Sequence, residues 1–182
     1  MGEIEEACPL GLAPSASTTA MLALGDALAL TVLDKRGFDK EHFAFYHPAG
    51  QLGRRLQKVG EVMRTGERNP IVEENVTITE AIARITKARA GAISIVNAQG
   101  RLTGIFTDGD LRRMMSQAPE KLRGRIAEVM TRTPISITPE RLATEALKIL
   151  REKKIDEIPV VNASGEPMGM LDVQDLLDVE IL

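Results

Sequence analysis

From residue 61 onward the chain repeats one pattern twice, and this duplication limits the folds open to it. Five blocks recur in the same order, with constant spacing between copies from Thr79 and Thr144 onward. The first copy reads Glu61-Val62-Met63, Asn69-Pro70-Ile71, Thr79-Glu80-Ala81-Ile82, Ile95-Val96-Asn97 and Gly104-Ile105-Phe106-Thr107-Asp108-Gly109-Asp110-Leu111. The second reads Glu128-Val129-Met130, Thr133-Pro134-Ile135, Thr144-Glu145-Ala146-Leu147, Val160-Val161-Asn162 and Gly169-Met170-Leu171-Asp172-Val173-Gln174-Asp175-Leu176. Length changes fall where loops are expected, so we interpret the region as two copies of one unit.

Each copy predicts a β-α-β-β-α unit. After a short strand behind the proline, helices are predicted at residues 78–88, 108–115, 143–150 and from 172 onward, and strands at residues 92–96, 102–106, 158–161 and 168–171. Asp108 is predicted to cap the second helix of the first copy. A unit of about 55 residues is too small to cover both faces of its sheet, so the copies should pack side by side. The predicted class is α/β, of the α+β type, with domains at residues 58–118 and 119–182 after a segment at 1–57.

An apolar helix is predicted before the repeats. Residues 20–33 form the longest apolar run, which Asp26 interrupts, and Gly37 ends it. Because this helix is apolar on nearly all sides, we expect a surrounding domain or a partner chain to cover it.

Composition and charge exclude several classes of partner. The net charge of −3 argues against nucleic-acid binding, which needs a basic stripe. No uninterrupted apolar run approaches the ~20 residues of a membrane span, and Glu3, Glu5 and Glu6 do not fit a signal peptide. The single Cys8 has no disulfide partner and no nearby metal ligands. We therefore expect a cytoplasmic protein with no metal site and no membrane or nucleic-acid partner.

The motif Gly104-x-x-Thr107-x-x-Asp110 stands at a strand-to-helix junction. Gly104 would let another backbone come close. The Thr107 hydroxyl and the free amides of the next helix turn can hold a phosphate, and the Asp110 carboxylate can take both hydroxyls of a ribose. This combination fits a nucleotide better than a bare anion, which the carboxylate would repel. The alternative is that Thr107 and Asp108 or Asp110 are ordinary helix caps.

The second copy departs from this pattern at one position. Asp172 replaces the threonine, and a carboxylate there opposes phosphate. The second site is therefore predicted to be vacant, altered or structural.

The duplicated pattern resembles tandem CBS domains, over residues 59–182, and the motif resembles their G-x-x-[ST]-x-x-D ribose-phosphate site. The resemblance implies nucleotide binding at the first junction and a base pocket at the strand starts, whose alternative is plain core strand. The candidate ligand-binding residues are Thr107, Asp108, Asp110, Arg112, Arg113, Ile71, Ala92 and Ile93.

Residues 6–55 resemble the end of the sugar-isomerase (SIS) domain of the arabinose-5-phosphate isomerase family. The segments that carry the resemblance are Glu6-Ala7-Cys8-Pro9-Leu10-Gly11-Leu12-Ala13-Pro14-Ser15-Ala16-Ser17-Thr18-Thr19, Leu24-Gly25-Asp26-Ala27-Leu28-Ala29, Arg36-Gly37-Phe38, His47-Pro48-Ala49-Gly50 and Leu52-Gly53-Arg54-Arg55. The family places a SIS domain before a CBS pair and interconverts ribulose 5-phosphate and arabinose 5-phosphate for Kdo and lipopolysaccharide synthesis. The resemblance implies a catalytic His47 in the full-length enzyme, although Ala49 replaces a glycine of the family's His-Pro-Gly-Gly stretch. Since this chain holds only the end of that domain, we expect it to be inactive as an isomerase.

Three functions fit these observations. The first is a regulatory nucleotide-binding module of such an isomerase, with no cofactor. Its effector would be CMP-Kdo, with Asp110 on the ribose, Thr107 on the phosphate and Arg112 or Arg113 on the sugar carboxylate, or else AMP or ATP. The second is a ligand-free scaffold that joins copies into homodimers or homotetramers. The third is a stand-alone adenine-nucleotide sensor whose N-terminal helix binds another partner.

Overall fold

The computed structural model describes residues 2–39, 42–43, 46 and 56–178. It divides into two compact units, Met1–Tyr46 and His47–Leu182.

The N-terminal unit contains a long helix, α1 (Ala16–Lys35). The Glu6 carboxylate holds its first turn by accepting hydrogen bonds from the amides of Ser15 (2.6 Å) and Ala16 (2.9 Å). Hydrogen bonds from Ser17 and Ser15 lower the pKa of Glu6 to about 2, because they favour the charged carboxylate. Local hydrogen bonds thus fix where the helix begins.

Helix α1 presents its apolar residues on its surface within the described structure. No residue of the helix is buried, and its exposed large apolar side chains are Met21, Leu22, Leu24, Leu28, Leu30, Val32 and Leu33. By length and composition alone, the 20 residues of α1 are long and apolar enough to cross a membrane. Core helices of soluble proteins and signal sequences have the same length and composition. The predicted helix is confirmed, and Gly37 follows its end with a φ of +62°.

The C-terminal unit holds both repeats. Its elements are α2 (Val59–Val62), β1 (Ile71–Glu73), α3 (Ile78–Ala88), β2 (Ala92–Val96), β3 (Leu102–Thr107), α4 (Asp108–Gln117), β4 (Thr131–Arg132), α5 (Ala143–Lys153), β5 (Glu157–Val161), β6 (Pro167–Asp172) and α6 (Val173–Asp178), with short 3-10 turns at Gly66–Arg68, Pro119–Arg123 and Ile126–Glu128. The first copy follows the predicted order. In the second copy, the strand predicted after Pro134 is reduced to a single bridge at Ile137, and β4 precedes the proline.

The two sheets have the same plan. In the first, β1 runs parallel to β2, β2 is antiparallel to β3, and β3 is antiparallel to β4. In the second, β5 and β6 are antiparallel, and single bridges add Ile137 beside Val160 and Arg64 beside Met170. Each sheet is therefore finished by a short piece of chain from outside its own repeat.

The repeats exchange their opening segments, residues 59–64 and 126–132. Arg64, in the opening segment of the first repeat, exchanges backbone hydrogen bonds of 2.8 and 3.0 Å with Met170 of the second. Val59 lies in the core of the second repeat, whereas Ile126 and Met130, from the opening segment of the second repeat, lie in the core of the first. This exchange brings the junctions of both repeats to one interface.

Local sequence signals explain where α3 begins and which of its faces is buried. Thr77 and Glu80 form a capping box at the start of α3, and Ile78, Ala81 and Ile85 are its buried face. The helix predicted at residues 78–88 is confirmed.

Candidate functional site

A cavity of about 450 Å³ lies between the two repeats. It is lined by the β3–α4 junction, by the stretch after β4 and by the loop that leads into β5. Its lining includes Thr107, Asp108, Gly109, Asp110, Arg112, Arg113, Thr131, Ile135, Lys154, Ile155 and Glu157. Its volume lies within the range of roughly 300–1,000 Å³ that small-molecule pockets occupy.

Thr107 and Asp110 form a capping box at the start of α4. The Thr107 hydroxyl donates to Asp110 Oδ2 (2.9 Å) and accepts the Asp110 amide (3.2 Å), and Asp110 Oδ2 also accepts the Thr107 amide (3.0 Å). The prediction that Asp108 caps the helix is wrong, because Asp108 is already its first helical residue. The alternative role as a helix cap is therefore present at Thr107 and Asp110, and both side chains also face the cavity.

The leading amides of α4 are mostly used within the protein. The Asp108 amide donates to the Gly91 carbonyl at 2.9 Å, and the Asp110 amide donates to Thr107. Of the amides of Asp108, Gly109 and Asp110, only that of Gly109 has no acceptor among the described residues. The sequence predicted a whole turn of free amides at this junction, whereas the structure leaves one.

The cations of the cavity stand near its opening. Arg113 Nη2 lies 2.6 Å from Asp110 Oδ1, and the Arg113 side chain is 66 % exposed whereas that of Asp110 is 15 % exposed. Arg112 and Lys154 also line the cavity. Because Arg113 is largely exposed, its ion pair is weak and a ligand anion can compete for it.

Gly104 makes room for the exchanged segment rather than for a ligand. A Cβ at this position would overlap the sulfur of Met130, and Gly104 pairs with Arg132 across the β3–β4 ladder. The second repeat has the same arrangement, because a Cβ at Gly169 would collide with Met63. The glycine of the motif thus serves the fold, and it brings the partner repeat close enough to wall the cavity.

Glu157 is a cavity residue that the sequence-based reasoning missed. Burial, followed by the negative charges of Asp172, Asp156 and Asp108, raises its pKa to about 7. The signal in the sequence was a carboxyl group at the repeat position that holds Ala92 in the first copy.

Among the described residues, no group of three or more His, Cys, Asp or Glu side chains is placed to hold a metal ion.

The structure brings five of the predicted site residues together and separates the others. Thr107, Asp108, Asp110, Arg112 and Arg113 all line the cavity. Ile71 lines a different cavity, of about 420 Å³, while Ala92 and Ile93 are fully buried in apolar clusters. The apolar residues that line the cavity include Ile105 of the first repeat and Ile135 and Ile155 of the second. His47 lies outside the described residues.

The matching junction of the second repeat is closed by an arginine. Arg64 Nη2 lies 3.1 Å from Asp172 Oδ2, and Arg64 Nε lies 2.9 Å from Asp175 Oδ1. All three side chains are 11–14 % exposed. Asp172 therefore has a structural partner, in keeping with the predicted loss of phosphate binding there.

The sequence profile of the CBS domain matches residues 59–117 and 126–181. The chain belongs to the CBS-domain family, and the predicted tandem arrangement is confirmed.

Curated relatives point to one group of enzymes. Arabinose 5-phosphate isomerase KdsD of Pseudomonas aeruginosa is 45 % identical over 179 residues, which cover 98 % of this chain and 55 % of the relative. KdsD of Salmonella typhi is 43 % identical over 174 residues, covering 95 % of this chain and 53 % of the relative. The chain thus spans about half the length of these relatives and matches their C-terminal part. The predicted resemblance to this isomerase family is confirmed.

Solved structures share the fold at low identity. CBSX2 in complex with AMP matches with a TM-score of 0.58 and 20 % identity, over 69 % of this chain and 96 % of CBSX2. A CBS domain pair in complex with 5′-methylthioadenosine and S-adenosyl-L-methionine matches with a TM-score of 0.63 and 22 % identity, over 69 % and 96 % of the two chains.

Proposed function

We propose that this chain is the regulatory nucleotide-binding module of an arabinose-5-phosphate isomerase, and that its ligand occupies the cavity at Thr107. The observation that carries the proposal is the convergence of a hydroxyl, a helix amide, a carboxylate and several cations on a single cavity of suitable size. Structures of the same fold in complex with AMP, or with 5′-methylthioadenosine and S-adenosyl-L-methionine, support it, because all three ligands contain adenosine.

The ribose would bind Asp110 by displacing Arg113. A carboxylate offers about four acceptor positions. Thr107 takes two on Oδ2, and Arg113 takes one on Oδ1. A ribose diol needs more than the position that is left, so Arg113 would turn from the carboxylate to the ligand phosphate. Its exposure makes this movement inexpensive.

The phosphate would lie against the Gly109 amide and the cations. The Gly109 N–H and the positive end of α4 favour an anion, while Arg112, Arg113 and Lys154 supply opposite charge. The base would pack between Ile135 and Ile155. In CMP-Kdo, Arg112 or Arg113 would also pair with the sugar carboxylate, whereas AMP or ATP would use these cations for phosphate alone.

Calorimetry with CMP-Kdo, CMP, AMP and ATP tests the proposal. We expect at least one of them to bind, with Thr107→Ser close to the original chain and Asp110→Ala weakened more than tenfold. If none of the four binds the folded chain, the sensing function is excluded.

A scaffold function is the second candidate, favoured by the capping box that already satisfies Thr107 and Asp110. In that case the CBS pair would join isomerase subunits into homodimers or homotetramers without a ligand. Sedimentation of the full-length enzyme would then show the same oligomer for Asp110→Ala and the original chain, with no response to nucleotide. A change in oligomer size on adding nucleotide would instead support sensing.

The parent enzyme would interconvert ribulose 5-phosphate and arabinose 5-phosphate in the cytoplasm. Within it, α1 would be covered by the rest of the isomerase domain, and His47 would act in proton transfer between C1 and C2. This chain alone should show no turnover of ribulose 5-phosphate above background. Turnover well above background, lost in His47→Ala, would contradict that expectation.

A further inference from the structure

Glu157 places a carboxyl group where the two repeats meet. It is the first residue of β5, it lines the cavity, and it lies opposite Asp172 in the β5–β6 ladder. Its Oε1 contacts Gly91 of the first repeat so closely that a Cβ on Gly91 would overlap it. A glycine at position 91 therefore admits this carboxyl group to the interface.

The fold does not require a carboxyl group at this position. The first repeat has Ala92 there, opposite Thr107 just as Glu157 is opposite Asp172, and Ala92 is fully buried. Burying a carboxyl group without a compensating partner costs stability. A titratable group that costs stability and faces a cavity is a candidate for function.

The charges around Glu157 are mainly negative. Asp108 faces it from α4, Asp156 from the loop before β5 and Asp172 from β6, while Arg64 supplies the opposing positive charge. The other charged residues that line the cavity are Asp110, Arg112, Arg113 and Lys154. Because Arg64 is paired with Asp172 and Asp175, it is already committed to other carboxylates.

We propose that Glu157 couples proton uptake to ligand binding, so that the cavity accepts an anionic ligand with Glu157 protonated and resists it when Glu157 is ionised. This inference rests on the proposed nucleotide site and adds a regulation to it. The proton comes from solvent, and the protonated carboxyl can donate its O–H to an acceptor on the ligand.

The direction of the coupling follows from electrostatics. The pKa of Glu157 is raised to about 7 by burial and by its acidic neighbours. A ligand phosphate nearby would raise this pKa further, so the complex holds a proton that the free protein has partly lost above pH 7. Affinity should therefore fall as pH rises. An additional shift of about one pKa unit corresponds to roughly a fivefold loss of affinity between about pH 6.5 and pH 8.5.

Calorimetry with AMP as the probe tests the coupling in the original chain, Glu157→Gln and Glu140→Gln. Glu140 is exposed and serves as a matched control. Measurements at pH 6.5 and 8.5, in two buffers of different ionisation enthalpy, count the protons taken up. Ionisation of the AMP phosphate contributes equally to the pH dependence of affinity in all three proteins, so it cancels when they are compared. We expect the original chain and Glu140→Gln to lose about fivefold more affinity with pH than Glu157→Gln.

Two outcomes would overturn the coupling without touching the proposed function. One is AMP binding with the same pH dependence in the original chain and Glu157→Gln. The other is a calorimetric proton uptake on AMP binding that is the same in the original chain and in Glu157→Gln. If AMP, ATP, CMP and CMP-Kdo all fail to bind at both pH values, the nucleotide site and the coupling fail together.

Discussion

The two junctions of this repeat pair start from the same sequence pattern and reach opposite electrostatic arrangements. At the first, Thr107 faces an open cavity and Thr131 stands beside it. At the second, Asp172 takes the place of Thr107, and Arg64 takes the place of Thr131. Arg64 Nη2 lies 3.1 Å from Asp172 Oδ2, so the two residues form an ion pair. A carboxylate in place of the hydroxyl requires a cation, and the exchanged segment supplies one. Two substitutions at matching repeat positions therefore distinguish a potential ligand site from a closed structural one.

Among the variants that test this difference between the junctions, replacement of Arg64 should cause the largest loss of stability. Arg64→Met leaves Asp172 and Asp175 without their buried partner, and breaking a buried ion pair from one side costs about 3–5 kcal/mol. Urea denaturation at pH 7 measures the loss of unfolding free energy. Arg68→Met is the matched control, because Arg68 lies 3.7 Å from Asp175 and is 66 % exposed, so its loss should stay below about 1 kcal/mol.

Equal losses in the two arginine variants would contradict a structural role for Arg64. The double variant Arg64→Thr with Asp172→Thr sharpens the result, because it copies the first junction into the second. It should recover most of the lost stability, since the two residues are coupled.

The second largest loss of stability is expected when a methyl group is added at the glycines that contact the exchanged segments. In Gly104→Ala and Gly169→Ala the new methyl group meets Met130 or Met63, and overpacking of this kind costs about 1–3 kcal/mol. Both variants should have lower melting temperatures, and Gly169→Ala should lose more, because its methyl group also meets the backbone oxygen of Arg64 at 2.9 Å. Gly109→Ala is the control: its nearest atom would be 3.4 Å away, and alanine favours a helix, so its melting temperature should not fall. A large loss for Gly104→Ala alone would show that the repeats are not equivalent at this contact.

The repeats, their elements and the Thr107–Asp110 junction could be predicted because they depend on local patterns. Turn glycines, apolar spacing and capping residues act over a few neighbours in the chain. The walls of the cavity could not be predicted in the same way. Ile71 and Ala92 belong to the same copy as Thr107, but the segment exchange brings Ile135 and Glu157 from the other copy beside it.

The closure of the second junction could be predicted only in part from the sequence. The sequence showed that Asp172 opposes phosphate, but it did not show what would neutralise the carboxylate. Arg64 lies far from Asp172 in the chain, and only the pairing of Arg64 with Met170 brings them together. Comparing the copies position by position gives the missing signal, because Arg64 aligns with Thr131.

A smaller effect is expected at the cap of the first junction. Thr107→Ala removes the hydroxyl that accepts the Asp110 amide, and loss of such a cap costs about 1 kcal/mol. Chemical denaturation measures this cost, and calorimetry should show nucleotide binding weakened by about tenfold. Thr107→Ser keeps the hydroxyl and should retain both properties. If Thr107→Ala loses stability but binds nucleotide as well as Thr107→Ser, then Thr107 is a cap and not a ligand residue.

The smallest effect concerns the carboxyl group that only the second repeat carries at its strand start. Glu157 has a pKa of about 7 in the folded chain, against an ordinary value of 4.5. Between these values the folded chain binds a proton that the unfolded chain has released, so stability falls as pH rises and the full penalty is present above pH 7. Glu157→Gln removes the ionisation and should stabilise the chain at pH 8 more than at pH 5. Partial exposure screens the penalty, so the difference between the two pH values should stay below about 1 kcal/mol. Ala92→Gln, which puts the same amide at the matching buried position of the first repeat, should destabilise the chain equally at both pH values. A Glu157→Gln effect that is equally independent of pH would mean that Glu157 is ionised throughout, and the contrast between the repeats at this position would then be one of packing alone.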